Sequence, residues 1–177
     1  MTMKTLTLAS LLVSIFLGKL MLAAPSASAA EPVSARAAFE RLKTLAGEWR
    51  GTIDKRGEGD PVAVGYRVTA SGHAVVETLF PGSAHEMVTV YHLDRDRLVL
   101  THYCAAGNQP QMAMTRKSTP DALDFDFTGG ANIKPGKDGH MHALRLHFLG
   151  PNELKAEWDS FKNGRKAVTK TFFVTRR

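Results

Sequence analysis

Apolar side chains first recur at helical spacing. Over residues 35–46, Ala35, Ala38, Phe39, Leu42 and Leu45 fall on one face, and Arg36, Glu40, Arg41 and Lys43 on the other. Ser34 can cap this segment and Gly47 can stop it, so the pattern predicts a short amphipathic helix. After Gly47 the period drops to two. Trp49, Gly51 and Ile53 alternate with Glu48, Arg50 and Thr52, and Val62, Val64, Tyr66 and Val68 alternate over residues 61–70. Ser71 and Gly72 turn the chain into residues 73–80, and Pro81, Gly82 and Ser83 separate these from residues 85–93. A turn at 94–97 leads to 98–104, and Gly107 to Pro110 break that run. Further strands are expected over 111–117, 122–128, 141–149, 152–161 and 166–176. The Asn163-Gly164 pair is a strong short-range hairpin signal. One longer connector spans 129–140 and is rich in glycine.

This is one short helix followed by about ten short strands joined by turns. Without long crossovers the sheet is an antiparallel meander, and a meander of that length removes its two exposed edges by closing. The expected fold is all-β: an antiparallel up-and-down barrel of about 8–10 strands preceded by the helix, wide enough to hold one small ligand. A two-sheet sandwich is the alternative, and its Greek-key connections would need more long loops.

The first residues follow a different pattern. Lys4 precedes an apolar run to Gly18, and Ala27 and Ala29 satisfy the small-residue rule for cleavage after Ala29. Residues 1–29 therefore read as a secretory signal and residues 30–177 as one barrel domain. The apolar run is broken by Lys19 and is shorter than the roughly 20 residues of a spanning helix, so no stable membrane span is expected after cleavage. The destination is the periplasm or the exterior.

Composition narrows the picture. The chain of 177 residues is 44% hydrophobic and 23% charged, which suits a globular domain and excludes wholesale disorder. The single cysteine excludes an internal disulfide. The formal charge of +6 includes Lys4 and Lys19; without the signal, 21 basic side chains oppose 17 acidic ones, giving +4. The remaining basic residues are scattered, with no run of five, so no nucleic-acid partner is expected.

The stretch from Leu42 to Gly51, with Gly47-Glu48-Trp49 at its heart, resembles the opening of calycin-like barrels, the lipocalin and fatty-acid-binding group. There a short helix enters a first strand bearing Gly-x-Trp. The resemblance implies that Trp49 closes one end of the barrel beneath a basic side chain of the last strand, Arg176 or Lys170. Haem-binding nitrobindin-type barrels open in the same way, but no motif here marks their haem-ligand histidine. Residues 86–109 together with Asp138 to His142 are similar to a group of small exported bacterial proteins.

Candidate chemistry lies around the 94–97 turn. With Arg95 and Asp96 at its tip, Asp94 pairs with Arg97, Leu93 with Leu98, Tyr91 with Leu100, Thr89 with His102 and Met87 with Cys104. This face is the more apolar of the two and is assigned to the interior. It presents Met87, Thr89, Tyr91, Leu100, His102 and Cys104 as ligand-binding candidates, a mostly apolar wall with a few convergent polar groups. A histidine in such a place is commonly an idle core residue bonded to a neighbour such as Thr89, and Cys104 is commonly a small buried hydrophobe. His140 and His142 share one face of an extended segment and, with His102 or His147, would supply three ligands of the kind zinc uses. The chain has no Gly-x-Ser-x-Gly, no phosphate-binding glycine loop and no His-Glu-x-x-His, so nothing assigns a catalytic residue.

The resulting expectation is an exported protein that binds a small, largely apolar molecule without catalysis, its cofactor and oligomeric state open. The alternative is a haem- or metal-binding or enzymatic barrel using His102, Cys104 and the His140/His142 pair. Expression with the native N-terminus followed by intact-mass measurement of the exported fraction should give a chain beginning at Ala30. An intact Met1 in that fraction contradicts the signal.

Overall fold

In a computed structural model, residues 32–177 are described. The export signal expected over residues 1–29 lies outside them. Helix α1 (Ala35–Lys43) is followed by ten strands: β1 (Gly47–Ile53), β2 (Asp60–Thr69), β3 (Ala74–Leu79), β4 (Met87–Asp94), β5 (Arg97–Tyr103), β6 (Gln109–Met114), β7 (Ala122–Ala131), β8 (His140–Gly150), β9 (Glu153–Lys162) and β10 (Arg165–Arg176). Every strand pairs antiparallel with its neighbour in sequence, and β1 closes onto β10. The fold is the up-and-down barrel that the alternation predicts. No helix among the described residues is long and apolar enough to cross a membrane.

Alternation decides the interior. Val62, Val64 and Tyr66 of β2, Leu98, Leu100 and His102 of β5, and Leu154, Ala156 and Trp158 of β9 point inward and are buried. The Asn163-Gly164 turn holds both residues at positive φ (52° and 71°), the geometry of a type I′ hairpin. The glycine-rich connector is shorter than the sequence suggests. β7 extends through Gly129 and Gly130 to Ala131, because an added Cβ at Gly130 would lie 2.4 Å from the Gln109 carbonyl oxygen and glycine permits that approach.

The helix also ends earlier than its apolar pattern, at Lys43 instead of Ala46. The reason is that its last carbonyls are claimed from outside. The Trp49 indole N–H donates to the Leu45 carbonyl at 2.8 Å, and the Arg176 guanidinium donates to the Ala46 and Thr44 carbonyls at 2.6 and 2.7 Å. The same guanidinium lies 4.5 Å from the Trp49 ring centroid. Lys170, the other basic candidate, sits near the opposite end of β10 and pairs with Asp54. Phe39, Leu42 and Leu45 complete the seal at the helix end, where α1 packs against β4 and β5.

With that end closed, the loops at 54–59, 80–86, 104–108, 132–139 and 163–164 gather at the other. Arg176 is thus a tie between the last strand, the first strand and the helix. Its hydrogen bonds to carbonyls and its place over the indole together contribute about 2 kcal/mol or more. Arg176→Ala should lower the unfolding free energy measured in urea by about that amount, and Arg176→Lys should recover less than half of it, since lysine cannot form the fork. Equal midpoints for the three proteins would refute this role.

Candidate functional site

The pairing of β4 with β5 is the one inferred from the turn: Thr89 lies opposite His102, Tyr91 opposite Leu100 and Asp94 opposite Arg97. β3 adds Glu77 opposite Thr89, and β2 adds Tyr66 opposite Glu77. Four polar side chains from four adjacent strands therefore form a row inside the barrel, all buried. The Tyr66 hydroxyl donates to Glu77 Oε1 and the Tyr91 hydroxyl to Glu77 Oε2, each at 2.8 Å. Thr89 Oγ1 lies 2.9 Å from His102 Nδ1.

The electrostatics follow from burial. Desolvation pushes the Glu77 carboxyl above the ordinary carboxylate range, against the hydroxyls of Tyr66, Tyr91 and Thr89, whose hydrogen bonds favour the ionised form. Desolvation and the adjacent Glu77 hold both phenols protonated, well above their usual value. His102 is pushed down to about 4, again by burial, so its ring is neutral near pH 7.

Beyond this row the barrel is hollow. A cavity of about 300 Å³ opens at the loop end, with walls from Ile53, Leu79, Phe80, Met87, Met141 and Phe172 and with Asp60 and Lys170 near its rim. His102 and Trp158 also line it, their rings 4.7 Å apart. His102 is 1% exposed and Trp158 2%. Neither His102 Nε2 nor Trp158 Nε1 has a hydrogen-bond partner among the described residues. Phe80 stands at the wall with φ of 55°, a left-handed conformation that a bulky residue rarely adopts, and its ring packs against Phe172.

The sequence-derived candidates divide accordingly. Met87 and His102 line the cavity, while Thr89 lies behind His102 as its anchor. Tyr91 and Leu100 are buried deeper in the core, Tyr91 as a Glu77 partner. Cys104 does not pair with Met87, because the ladder ends at Val88 opposite Tyr103 and the chain turns away toward Gly107. It is half-buried and borders a separate depression with His140 and Phe161. Glu77, Tyr66 and Trp158 were not singled out from the sequence. The only hint for Glu77 was its alternation with Val75 and Leu79, and for Trp158 its alternation with Leu154 and Ala156.

His140 and His142 do come together. His140 Nδ1 donates to the Asp138 carbonyl at 3.1 Å, and its Nε2 lies 3.1 Å from His142 Nδ1. The His142 ring stacks on Phe161 at 3.8 Å. His147 is engaged elsewhere, by Glu157 at 2.8 Å. Among the described residues no group of three or more His, Cys, Asp or Glu could hold a metal ion, so the three-histidine site does not form.

The chain matches no family model and no curated protein. The closed ten-strand barrel is compatible with a calycin-like architecture, and the function has to be argued from the site itself.

A buried neutral histidine makes stability depend on pH. The unfolded chain takes up the His102 proton near its ordinary 6.5 and the folded chain only near 4, so the folded state binds fewer protons between those values. His102 therefore contributes a loss of stability as pH falls from 6.5 to 4, of at most about 3 kcal/mol. Glu77 acts in the opposite sense: its raised carboxyl stabilises the fold below its unfolded value and loses that contribution as pH rises. Urea titrations at pH 7 and pH 4.5 should show the wild type losing more stability on acidification than His102→Gln. The same loss in both proteins would contradict a neutral buried His102.

Proposed function

We propose that this chain is an exported binding protein that holds one small, largely apolar molecule at the open end of its barrel. The observation that carries the reading is an apolar cavity of about 300 Å³ lined in part by His102 and Trp158, each of which has a buried ring nitrogen without a hydrogen-bond partner among the described residues. Burying a polar group without a partner costs about 1–3 kcal/mol, a cost a ligand group in the cavity would remove. The volume lies at the small end of the range used for ligand pockets, and the apolar walls with two polar points match their usual composition. Export is supported by the N-terminal signal pattern. Tyr91 and Leu100 serve this reading as support for the floor, Thr89 as the anchor of His102, and Trp49 with Arg176 as the plug of the far end.

Cys104 borders a different depression, and Lys170 at the rim is paired with Asp54. Binding without turnover is therefore the reading we adopt.

Native mass spectrometry of the purified protein should show a co-purifying small molecule, or the protein should take up a small apolar fluorophore. Met87→Trp, which fills the cavity from its wall, should abolish uptake while leaving the urea midpoint within about 1 kcal/mol of wild type. A bare mass combined with no fluorophore uptake by the wild type would sink the proposal.

A further inference from the structure

Two imidazoles of β8 stand close enough to share one ion. His140 and His142 are two residues apart on the strand, with Nε2 of the first 3.1 Å from Nδ1 of the second. The local fold sets them apart from the regular sheet. The pairing of β8 with β9 slips by one residue at His142, since Met141 lies opposite Ser160 and Ala143 opposite Asp159. A bulge of this kind re-aims side chains and recurs beside functional sites. On the other side the ladder with β7 ends at Asp126 opposite Ala143, so residues 140–142 have no β7 partner. Aromatic rings fix the two imidazoles instead. His142 stacks on Phe161 at 3.8 Å, and the Phe127 ring lies 4.5 Å from His140 and 5.2 Å from His142. His140 also borders the surface depression beside Cys104, which gives an ion a way in.

The protonation of the pair suits a cation. A carbonyl only accepts, so His140 Nδ1 carries the proton that it gives to Asp138, and in the neutral ring Nε2 keeps its lone pair. A backbone carbonyl on the far nitrogen is the support that metal-bound histidines commonly have. Burial, and then the neighbouring His140, hold His142 below the ordinary histidine range, so it is neutral near pH 7. Its Nδ1 offers a second lone pair when its own proton sits on Nε2, which leaves the charge of the ring unchanged. An ion at the roughly 2.0–2.1 Å usual for imidazole nitrogen would see the two atoms at about 95–100°. No third His, Cys, Asp or Glu joins the pair among the described residues, so a closed zinc site of four protein ligands is not formed. A tetragonal ion that takes two nitrogens side by side and water elsewhere fits better, and copper(II) heads the affinity series for such ligands. We propose that His140 and His142 together bind one copper(II) ion, with water in its remaining positions. Neither residue lines the cavity at the loop end, so this site stands apart from the binding reading above.

The test titrates copper(II) chloride into the purified protein at pH 7.5 and follows it by electron paramagnetic resonance. The wild type should give one tetragonal signal that saturates at one ion per chain, with two imidazole nitrogens seen in the spin-echo modulation. His142→Phe keeps a ring on Phe161 but removes a ligand, and it should weaken binding at least about tenfold, because the second contact of a chelate is intramolecular. His140→Gln should do the same. His147→Gln and Cys104→Ser should bind copper as the wild type does. Should either variant of the pair fail to fold, the nitrogen count in the wild type decides alone. A wild-type signal coupled to fewer than two imidazoles overturns the proposal. So does undiminished affinity in His142→Phe, or an equal loss in His147→Gln or Cys104→Ser.

Discussion

The pairing of the first strand with the last is the constraint on which the molecule depends. Ten antiparallel strands in a meander leave an exposed edge at each end, and the β1–β10 ladder removes both at once. The seam demands close approach. At Gly51 any Cβ would stand 1.8 Å from the Phe173 carbonyl oxygen and 2.8 Å from the Val174 Cα, so only glycine fits without moving β10. A few residues away Arg176 reaches across the seam to the helix carbonyls and covers Trp49. One side chain thereby joins barrel closure to end closure. The helix end is shut, and the cavity beside His102 lies at the loop end.

Inside a closed barrel the row from Tyr66 to His102 is costly unless its members satisfy one another. Register is what allows it: Tyr66, Glu77, Thr89 and His102 are successive cross-strand neighbours, so Tyr66 meets Glu77 and Thr89 meets His102 at hydrogen-bonding distance. A shift of one residue in any of these strands would turn its polar member outward and leave a buried carboxyl or imidazole alone. The row is therefore a register lock, and a low local dielectric strengthens each of its bonds.

Much of this architecture was legible in the sequence, for identifiable reasons. The change of period at Gly47, the turn chemistry and the absence of crossovers led to the closed meander, and the Asp94–Arg97 turn led to the Thr89–His102 pairing. Local pairing of this kind stops at one hairpin. Trp158 stands beside His102 because the barrel curves round, not because of anything within reach along the chain, so half of the cavity floor was invisible. Glu77 escaped notice because a charged residue in a strand reads as outward-facing, and its phenol partners Tyr66 and Tyr91 make burial tolerable. Cys104 failed in the other direction. The hairpin register was extended one pair beyond the point where Gly107, at φ of 82°, turns the chain out of the sheet.

The ordinary explanation of a buried histidine, that it is a satisfied core residue, fits half of this imidazole. Nδ1 has its partner in Thr89, and a histidine serving only the core would be expected to use its second nitrogen as well or to be replaced by a residue without one. Instead Nε2 has no partner among the described residues, and neither has Trp158 Nε1, whose ring, from a strand across the barrel, lies 4.7 Å from that of His102. A single unpaired atom can be absorbed as a defect of packing. Two, on neighbouring side chains that both line an apolar cavity, would more cheaply have been phenylalanine and leucine if stability were their only purpose. The binding function proposed above would give that chemistry a use, and the cavity at the loop end is the space for it.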